Sequence, residues 1–201
     1  MPALILAGGA GKRLNLGEKP LVMVGDRPMV GIVVSVFETA GYDPVIITSP
    51  RTPFTRNWAR VQGYDCFQGS GKGYVDDIRE AVESLELQGP VFTCVSDLPC
   101  IAPEHIRLAR SAYDSSGKEA LSAWVPASFL EPGDNTVYTE PVDGEDAIPA
   151  GLNIIRGDLM HRVQEEKKLL IRDIRLAHNV NSRADLEKVR KYFRDRPVGS
   201  H

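Results

Sequence analysis

Short apolar runs and helical stripes alternate along the first part of the chain. Residues 3–7, Ala-Leu-Ile-Leu-Ala, are apolar without interruption and end in a glycine cluster, which predicts a strand buried on both faces. Apolar residues at 29, 30, 33, 34 and 37 then draw a helical stripe over 28–42, opening at Pro28 and closing at Gly41. The run 45–48 predicts a second buried strand, followed by a helix over 53–62, a short strand near Cys66, a helix over 73–87 and a strand over 91–95. In the helix over 73–87, Val75, Ile78, Val82 and Leu85 recur at spacings that put them on one face, the face expected to be buried. Strands alternating with helices predict an α/β fold with a parallel sheet and right-handed crossovers.

Past residue 103 the rhythm loosens. A helix over 103–114 and a strand over 120–125 precede 126–149, a stretch with six carboxylates and no Lys or Arg. Such composition reads as a solvated loop or hairpin, or as a flap over a site. Apolar character resumes over 148–155, and Leu186, Val189 and Phe193 mark a last helix over 184–193, with Asn181 or Ser182 as its N-cap.

Composition narrows the function classes. The 201 residues carry 24 Lys+Arg against 27 Asp+Glu, so no basic surplus exists to hold a nucleic-acid backbone. The apolar runs fall well short of the roughly 20 residues of a membrane span, and no secretory signal is visible, so a cytoplasmic location is expected. Cys66, Cys94 and Cys100 lack metal-site spacing; Cys66 and Cys94 read as free thiols in a reducing compartment, while Cys100 sits near a candidate site. Residues 1–198 read as one domain, with Gly199-Ser200-His201 set aside as a cloning scar.

Three segments carry candidate chemistry. Leu6-Ala7-Gly8-Gly9-Ala10-Gly11-Lys12-Arg13, followed by Glu18-Lys19-Pro20, sets glycines directly after a buried strand, where backbone N–H groups can turn toward an anion beside Lys12, Arg13 and Lys19. It is not a P-loop, because Leu6 stands where the first Gly belongs and Arg13 replaces the hydroxyl residue. A dinucleotide fingerprint read from Gly9 fails at Leu14. The segment Ser70-Gly71-Lys72-Gly73 opens a helix and would let a flat base or ribose approach the backbone closely, though a tight turn explains it equally well. Asp97, in Ser96-Asp97-Leu98-Pro99, ends a buried strand and is the metal candidate, because one carboxylate can hold Mg²⁺ whose other positions are filled by phosphate oxygens and water. Its structural alternative is a cap for the helix over 103–114.

Leu-Ala-Gly-Gly-x-Gly-x-Arg with Glu-Lys-Pro, Ser-Asp-Leu-Pro, and Asn179-Val180-Asn181-Ser182 with Asp185-Leu186 together resemble the nucleotidyltransferases related to molybdenum-cofactor guanylyltransferase. Within that group, Ser70-Gly-Lys-Gly-Tyr-Val-Asp-Asp77, Val125-Pro126 and Pro149-Ala-Gly-Leu-Asn153 are most similar to the archaeal GTP:adenosylcobinamide-phosphate guanylyltransferases. The resemblance implies a three-layer α/β/α fold with a mostly parallel, Rossmann-like sheet. It also implies transfer of GMP from GTP to adenosylcobinamide phosphate in cobalamin biosynthesis, without a covalent enzyme intermediate. On that basis Leu6, Ala7, Gly8, Gly9 and Gly11 cradle the phosphates, and Lys12, Arg13 and Lys19 neutralise charge. Ser70, Gly71, Lys72 and Gly73 lie against the nucleoside, Asp97 holds Mg²⁺, and Gly151, Asn153, Asn179 and Asn181 meet the acceptor.

The expected partners are therefore GTP and adenosylcobinamide phosphate, with no nucleic acid and no membrane; a homodimer stays open. A transferase for molybdopterin, a sugar phosphate or a phosphorylated lactate is the alternative enzyme. A nucleotide-binding module without turnover is the alternative class, and the retention of Lys12, Arg13, Lys19 and Asp97 together speaks against it.

Overall fold

The computed structural model describes residues 1–11, 14–130 and 138–195. Strand β1 (Pro2–Leu6) is followed by the two-residue strands β2 (Met23–Val24) and β3 (Arg27–Pro28), which pair with each other. Next come α1 (Met29–Thr39), β4 (Asp43–Thr48), α2 (Pro53–Val61), β5 (Cys66–Gln68), α3 (Tyr74–Ser84), β6 (Pro90–Val95) and α4 (Pro103–Ser116). The remainder is β7 (Ala120–Pro126), β8 (Glu140–Val142), β9 (Glu145–Arg156), β10 (Glu166–Leu170) and α5 (Arg183–Arg194).

The large sheet runs β10-β7-β9-β6-β1-β4-β5, with β8 added beside β9. All its pairings are parallel except those of β9 with β6, β7 and β8. The fold is thus α/β with a mostly parallel sheet and helices on both faces, as expected. β1 lies inside it, between β6 and β4, and is apolar because it meets a core on each side. Ala3 and Ile5 pack with α1 and α4 residues, while Leu4 packs with Ile47 and with Ile78 and Val82 of α3. Phe37, Phe92 and Tyr42 meet edge-to-face in the first of these cores, with centroids 4.9 to 6.5 Å apart.

Two expectations change, and one open choice is decided. Helix α1 is buried nearly all round rather than along one stripe, because Ile32, outside the stripe, joins Met29 in a second cluster with Leu14, Val22, Val24 and Val189. In α3, Val75 and Leu85 face solvent, and the buried set is Asp77, Ile78, Ala81 and Val82. Asp77, nearly opposite Val75 around the helix, is buried because its carboxylate serves the preceding loop. Ser182, not Asn181, caps α5: its hydroxyl accepts from Asp185 N–H while the Asp185 carboxylate accepts from Ser182 N–H.

The acidic segment resolves, over its described part, into the β8–β9 hairpin, turned at Asp143-Gly144 with both φ angles positive. Glu131 and Asp134 lie outside the described residues. β9 then carries a bulge opposite Ser122–Trp124, where Gly151 has φ +81°; a Cβ there would lie 2.6 Å from Val95 Cγ2.

A buried brace closes the upper part of the fold. His105 Nδ1 accepts the Ala102 N–H at 3.0 Å, so Nε2 carries the proton and donates to Asp173 at 3.0 Å. Arg175 binds Asp173 and reaches Glu104. Burial pushes the His105 pKa below its ordinary 6.5, and the Arg175 guanidinium holds the Asp173 carboxyl well below the usual range. Both shifts remove stability on acidification: below about pH 6.5 the unfolded chain takes up a proton that folded His105 resists, and Asp173 adds its share below the ordinary Asp range. Chemical unfolding at pH 7 and pH 5 should show the loss in the wild type and a smaller one in His105→Gln, which can still accept from Ala102 and donate to Asp173.

Candidate functional site

Strands β1, β4, β5 and β6 are parallel, so their carboxyl ends gather the loops 7–22, 49–52, 69–73 and 96–102 along one edge of the sheet. The pairing continues one residue beyond the strands. Ala7 N–H donates to Ile47 O at 2.7 Å and Ser96 N–H to Leu6 O at 3.1 Å, fixing where the chain leaves the sheet.

The first glycine loop is held from two sides. Ser49 Oγ donates to Gly8 O at 2.9 Å, and a Cβ on Gly8 would meet Ser49 at 3.2 Å. Gly11 has φ +62°, and a Cβ there would stand 2.8 Å from Lys19 Cβ and 3.0 Å from Lys19 N. Only glycine lets the loop fold back onto the Lys19 backbone this closely. Gly9 is exposed with open space around it. Lys12 and Arg13 lie outside the described residues.

Glu18 anchors the same loop. Its carboxylate accepts from Phe54 N at 2.8 Å, Thr55 N at 2.6 Å and Thr55 Oγ1 at 2.6 Å, satisfying first-turn donors of α2. The next residue, Lys19, projects its ammonium onto Asp97 Oδ2 and onto Asn181 Oδ1, the latter at 2.8 Å. Asn181 and Asp97 are tied further by Val180 N–H, which donates to Asp97 O at 2.9 Å. Residues 19, 97 and 181 thus meet in one cluster. Asp97 does not cap α4, whose N-cap is Ala102.

The second glycine loop is braced by its own helix. Asp77 Oδ1 accepts from Gly71 N at 2.8 Å and Glu80 Oε2 from Ser70 N at 2.7 Å, while Arg51 donates to Gly71 O at 2.6 Å. The Ser70 and Gly71 amides therefore point inward in this structure; Lys72 is exposed. Buried Asp77 also approaches the first loop, 3.6 Å from where a Gly8 Cβ would sit, and so stands between the two glycine segments.

Asn153 joins a different group. Its amide donates to Tyr74 Oη at 3.2 Å and to Thr93 Oγ1 at 3.4 Å, in a cavity of about 170 Å³ whose other walls include Val75, Ile78 and Ile155. The Tyr74 ring stays half-exposed while its hydroxyl turns inward, and burial raises the phenol pKa. Gly151 lies beside Val95, between this cavity and Ser96-Asp97. Asn179 is half-buried two residues before Asn181. An open depression of about 570 Å³ between Tyr42 and α4, lined by Arg107 and Arg110, lies by the residue that leads into β4, away from the strands' carboxyl ends.

Residues 3–149 match the MobA-like NTP transferase domain. The chain belongs to that family. A curated relative from Methanocaldococcus jannaschii, named adenosylcobinamide-phosphate guanylyltransferase, is 30% identical over 199 residues, covering 93% of this chain and 94% of that protein. Two solved structures share the fold. One is a hypothetical transferase from Thermus thermophilus (TM-score 0.70, 17% identity, covering 92% of this chain and 98% of the other). The second is a CMP:2-keto-3-deoxy-manno-octonic acid synthetase complexed with CTP (TM-score 0.71, 15% identity, covering 96% and 98%). No helix among the described residues is long and apolar enough to cross a membrane.

As a MobA-like transferase the protein is a nucleotidyltransferase, and its site suits a cation supplied with the nucleotide. Among the described residues no group of three or more His, Cys, Asp or Glu is arranged to hold a metal ion. Asp97 Oδ1, however, is buried without a hydrogen-bond partner among them. One hard oxygen with unused capacity fits Mg²⁺ completed by phosphate and water oxygens, and does not fit a closed protein cage.

Asp77, Glu18 and Ser49 hold the site together, although the residue pattern does not mark them as site residues. An Asp in the first turn of a helix reads as an ordinary response to the helix dipole, and nothing in the sequence says that it reaches back to the preceding loop. Gly11→Ala should cost about 1–2 kcal/mol for the left-handed backbone alone. By displacing Lys19 it should lower nucleotidyl transfer about a hundredfold. Urea unfolding and single-turnover rates on one preparation check both; a normal rate would show that the close approach of Gly11 to Lys19 is immaterial.

Proposed function

We propose that this protein transfers GMP from GTP to the phosphate of adenosylcobinamide phosphate, in cobalamin biosynthesis, yielding adenosylcobinamide-GDP and pyrophosphate. The observation that carries the reading is the convergence of Lys19, Asp97 and Asn181 at the carboxyl ends of the parallel strands. It occurs in a chain that covers almost the whole of a relative bearing that enzyme name.

In this reaction an acceptor phosphate oxygen attacks the α-phosphorus of GTP. The bond from that phosphorus to the α,β-bridging oxygen breaks, and pyrophosphate leaves with the electron pair. No side chain needs to become a nucleophile; the protein positions the reactants and neutralises charge. Gly8, Gly9 and Gly11, at the end of β1, cradle the triphosphate. Lys19 stabilises negative charge as it builds on the departing pyrophosphate, aided by Lys12 and Arg13. Asp97 and Asn181 hold the cation side of the site, where bound Mg²⁺ would supply further charge neutralisation on the phosphate oxygens. The loop Ser70–Gly73 takes the nucleoside, with its shape set beforehand by Asp77, Glu80 and Arg51.

The acceptor approaches from the β9 side. Gly151 lets Val95 pack directly against β9, and Asn153 stands next to it at a small cavity with apolar walls, where its amide donates to Tyr74 and Thr93. Asn179, two residues before Asn181, lies on the Asp97 side of the site. The reading has the enzyme free in the cytoplasm, with GTP and adenosylcobinamide phosphate as its partners.

Thermal unfolding with each nucleoside triphosphate should show GTP as the strongest stabiliser and tighter than GDP; stabilisation by CTP or UTP without GTP would refute the guanylyl assignment. Lys19→Ala should reduce pyrophosphate release with adenosylcobinamide phosphate by about a hundredfold or more. Asp97→Asn should spoil magnesium-dependent transfer more than it weakens GTP binding, and equal loss of both would count against the metal role.

A further inference from the structure

Lys19 rests on the very carboxylate that a cation would need. We infer that Lys19 is a displaceable counter-ion that blocks the metal position of Asp97 until a triphosphate draws it away, so that nucleotide and metal binding are coupled through this one side chain. The inference rests on the metal assignment of the proposed function.

Three observations carry it. The Lys19 ammonium contacts Asp97 Oδ2 and Asn181 Oδ1, and the side chains of Lys19 and Asp97 are only 15% and 19% exposed. Solvent therefore screens the pair weakly, and a divalent cation on the same carboxylate would face a full positive charge a few ångströms away. Asp97 Oδ1 is meanwhile buried and unpartnered among the described residues, a capacity that the lysine leaves unused. Finally, the backbone at Lys19 is held firmly. Gly11 packs against it, Glu18 is pinned to the first turn of α2, Val22 N–H donates to Lys19 O at 3.1 Å, and Pro20 follows. The moving part is thus the flexible four-carbon stem alone, which can exchange a carboxylate for a phosphate without rearranging the loop.

An anion bound along Gly8–Gly11 sits beside that stem and offers the ammonium a second partner. Once Lys19 turns to it, Asp97 regains both oxygens. The coupling is reciprocal: whatever favours the released lysine favours metal on Asp97, and the reverse.

Paramagnetic broadening by Mn²⁺ tests this in ¹⁵N-labelled protein and registers weak binding. The reporters are the amide signals of Leu98 and Val180, which flank Asp97 in the chain and in space. Free Lys19→Met protein should lose these signals at about tenfold lower Mn²⁺ than the free wild type, a conservative figure for removing one adjacent charge. Lys19→Gln should behave alike, and the spectra themselves report whether each variant is folded. Adding Asp97→Asn to Lys19→Met should abolish the gain. Wild type loaded with α,β-methylene GTP should broaden at about tenfold lower Mn²⁺ than free wild type, through the same residues. Equal sensitivity of free wild type and both Lys19 variants would overturn the inference while leaving the proposed reaction standing. Absence of broadening in the nucleotide-loaded wild type would instead remove the metal assignment, and the inference with it.

Discussion

A carboxylate and an ammonium held mostly out of water must face each other, and the contact between Lys19 and Asp97 imposes that condition on two loops 78 residues apart. Their neighbours are arranged to meet it. Glu18 spends its carboxylate on the first turn of α2, which otherwise leaves donors without partners, and in doing so fixes the residue before Lys19. Gly11 gives up a side chain so that the loop can close on Lys19 from the other side. Asp97 is set by its position just past β6 and by Val180 N–H, which arrives from the far end of the chain.

The brace of His105, Asp173 and Arg175 extends that logic outward. It joins the start of α4 to the segment leading into Asn179–Ser182, and so steadies the stretch of chain that ends at Asn181, within reach of Lys19. Asp77 does comparable work on the other side, giving its carboxylate to Gly71 while lying against Gly8. In the proposed reaction, which uses no enzyme nucleophile, such prior ordering would be the source of catalysis. Two glycine loops whose shapes are settled before substrate arrives need little rearrangement when it does.

Much of this was legible in the residue pattern. The strands 45–48 and 91–95 and the helices 53–62 and 103–114 appear close to their expected places, because apolar runs bounded by Pro and Gly have few other ways to be buried. The hairpin within the acidic stretch had a visible signal in Asp143-Gly144, two residues that tolerate positive φ. Less legible was the burial of α3, where Val75 is exposed and Asp77 buried, since periodicity counts apolar positions and is blind to a carboxylate wanted by a nearby loop. The antiparallel insertion of β9 between β6 and β7 was equally hidden: an apolar run carries no arrow, and its direction depends on which neighbours it finds.

The sequence by itself determined the α/β class, the glycine loop after the first strand, the family, and the kinds of residue able to hold a triphosphate and a cation. Those follow from local spacing and side-chain chemistry, which act between residues close along the chain. Only the tertiary structure decided that Lys19, Asp97 and Asn181 form one cluster, that Glu18 and Asp77 serve as anchors, and that Asn153 belongs with Tyr74 and Thr93. Such contacts link residues far apart in the chain, and their partners are chosen by strand order and helix packing rather than by any pattern written along one segment.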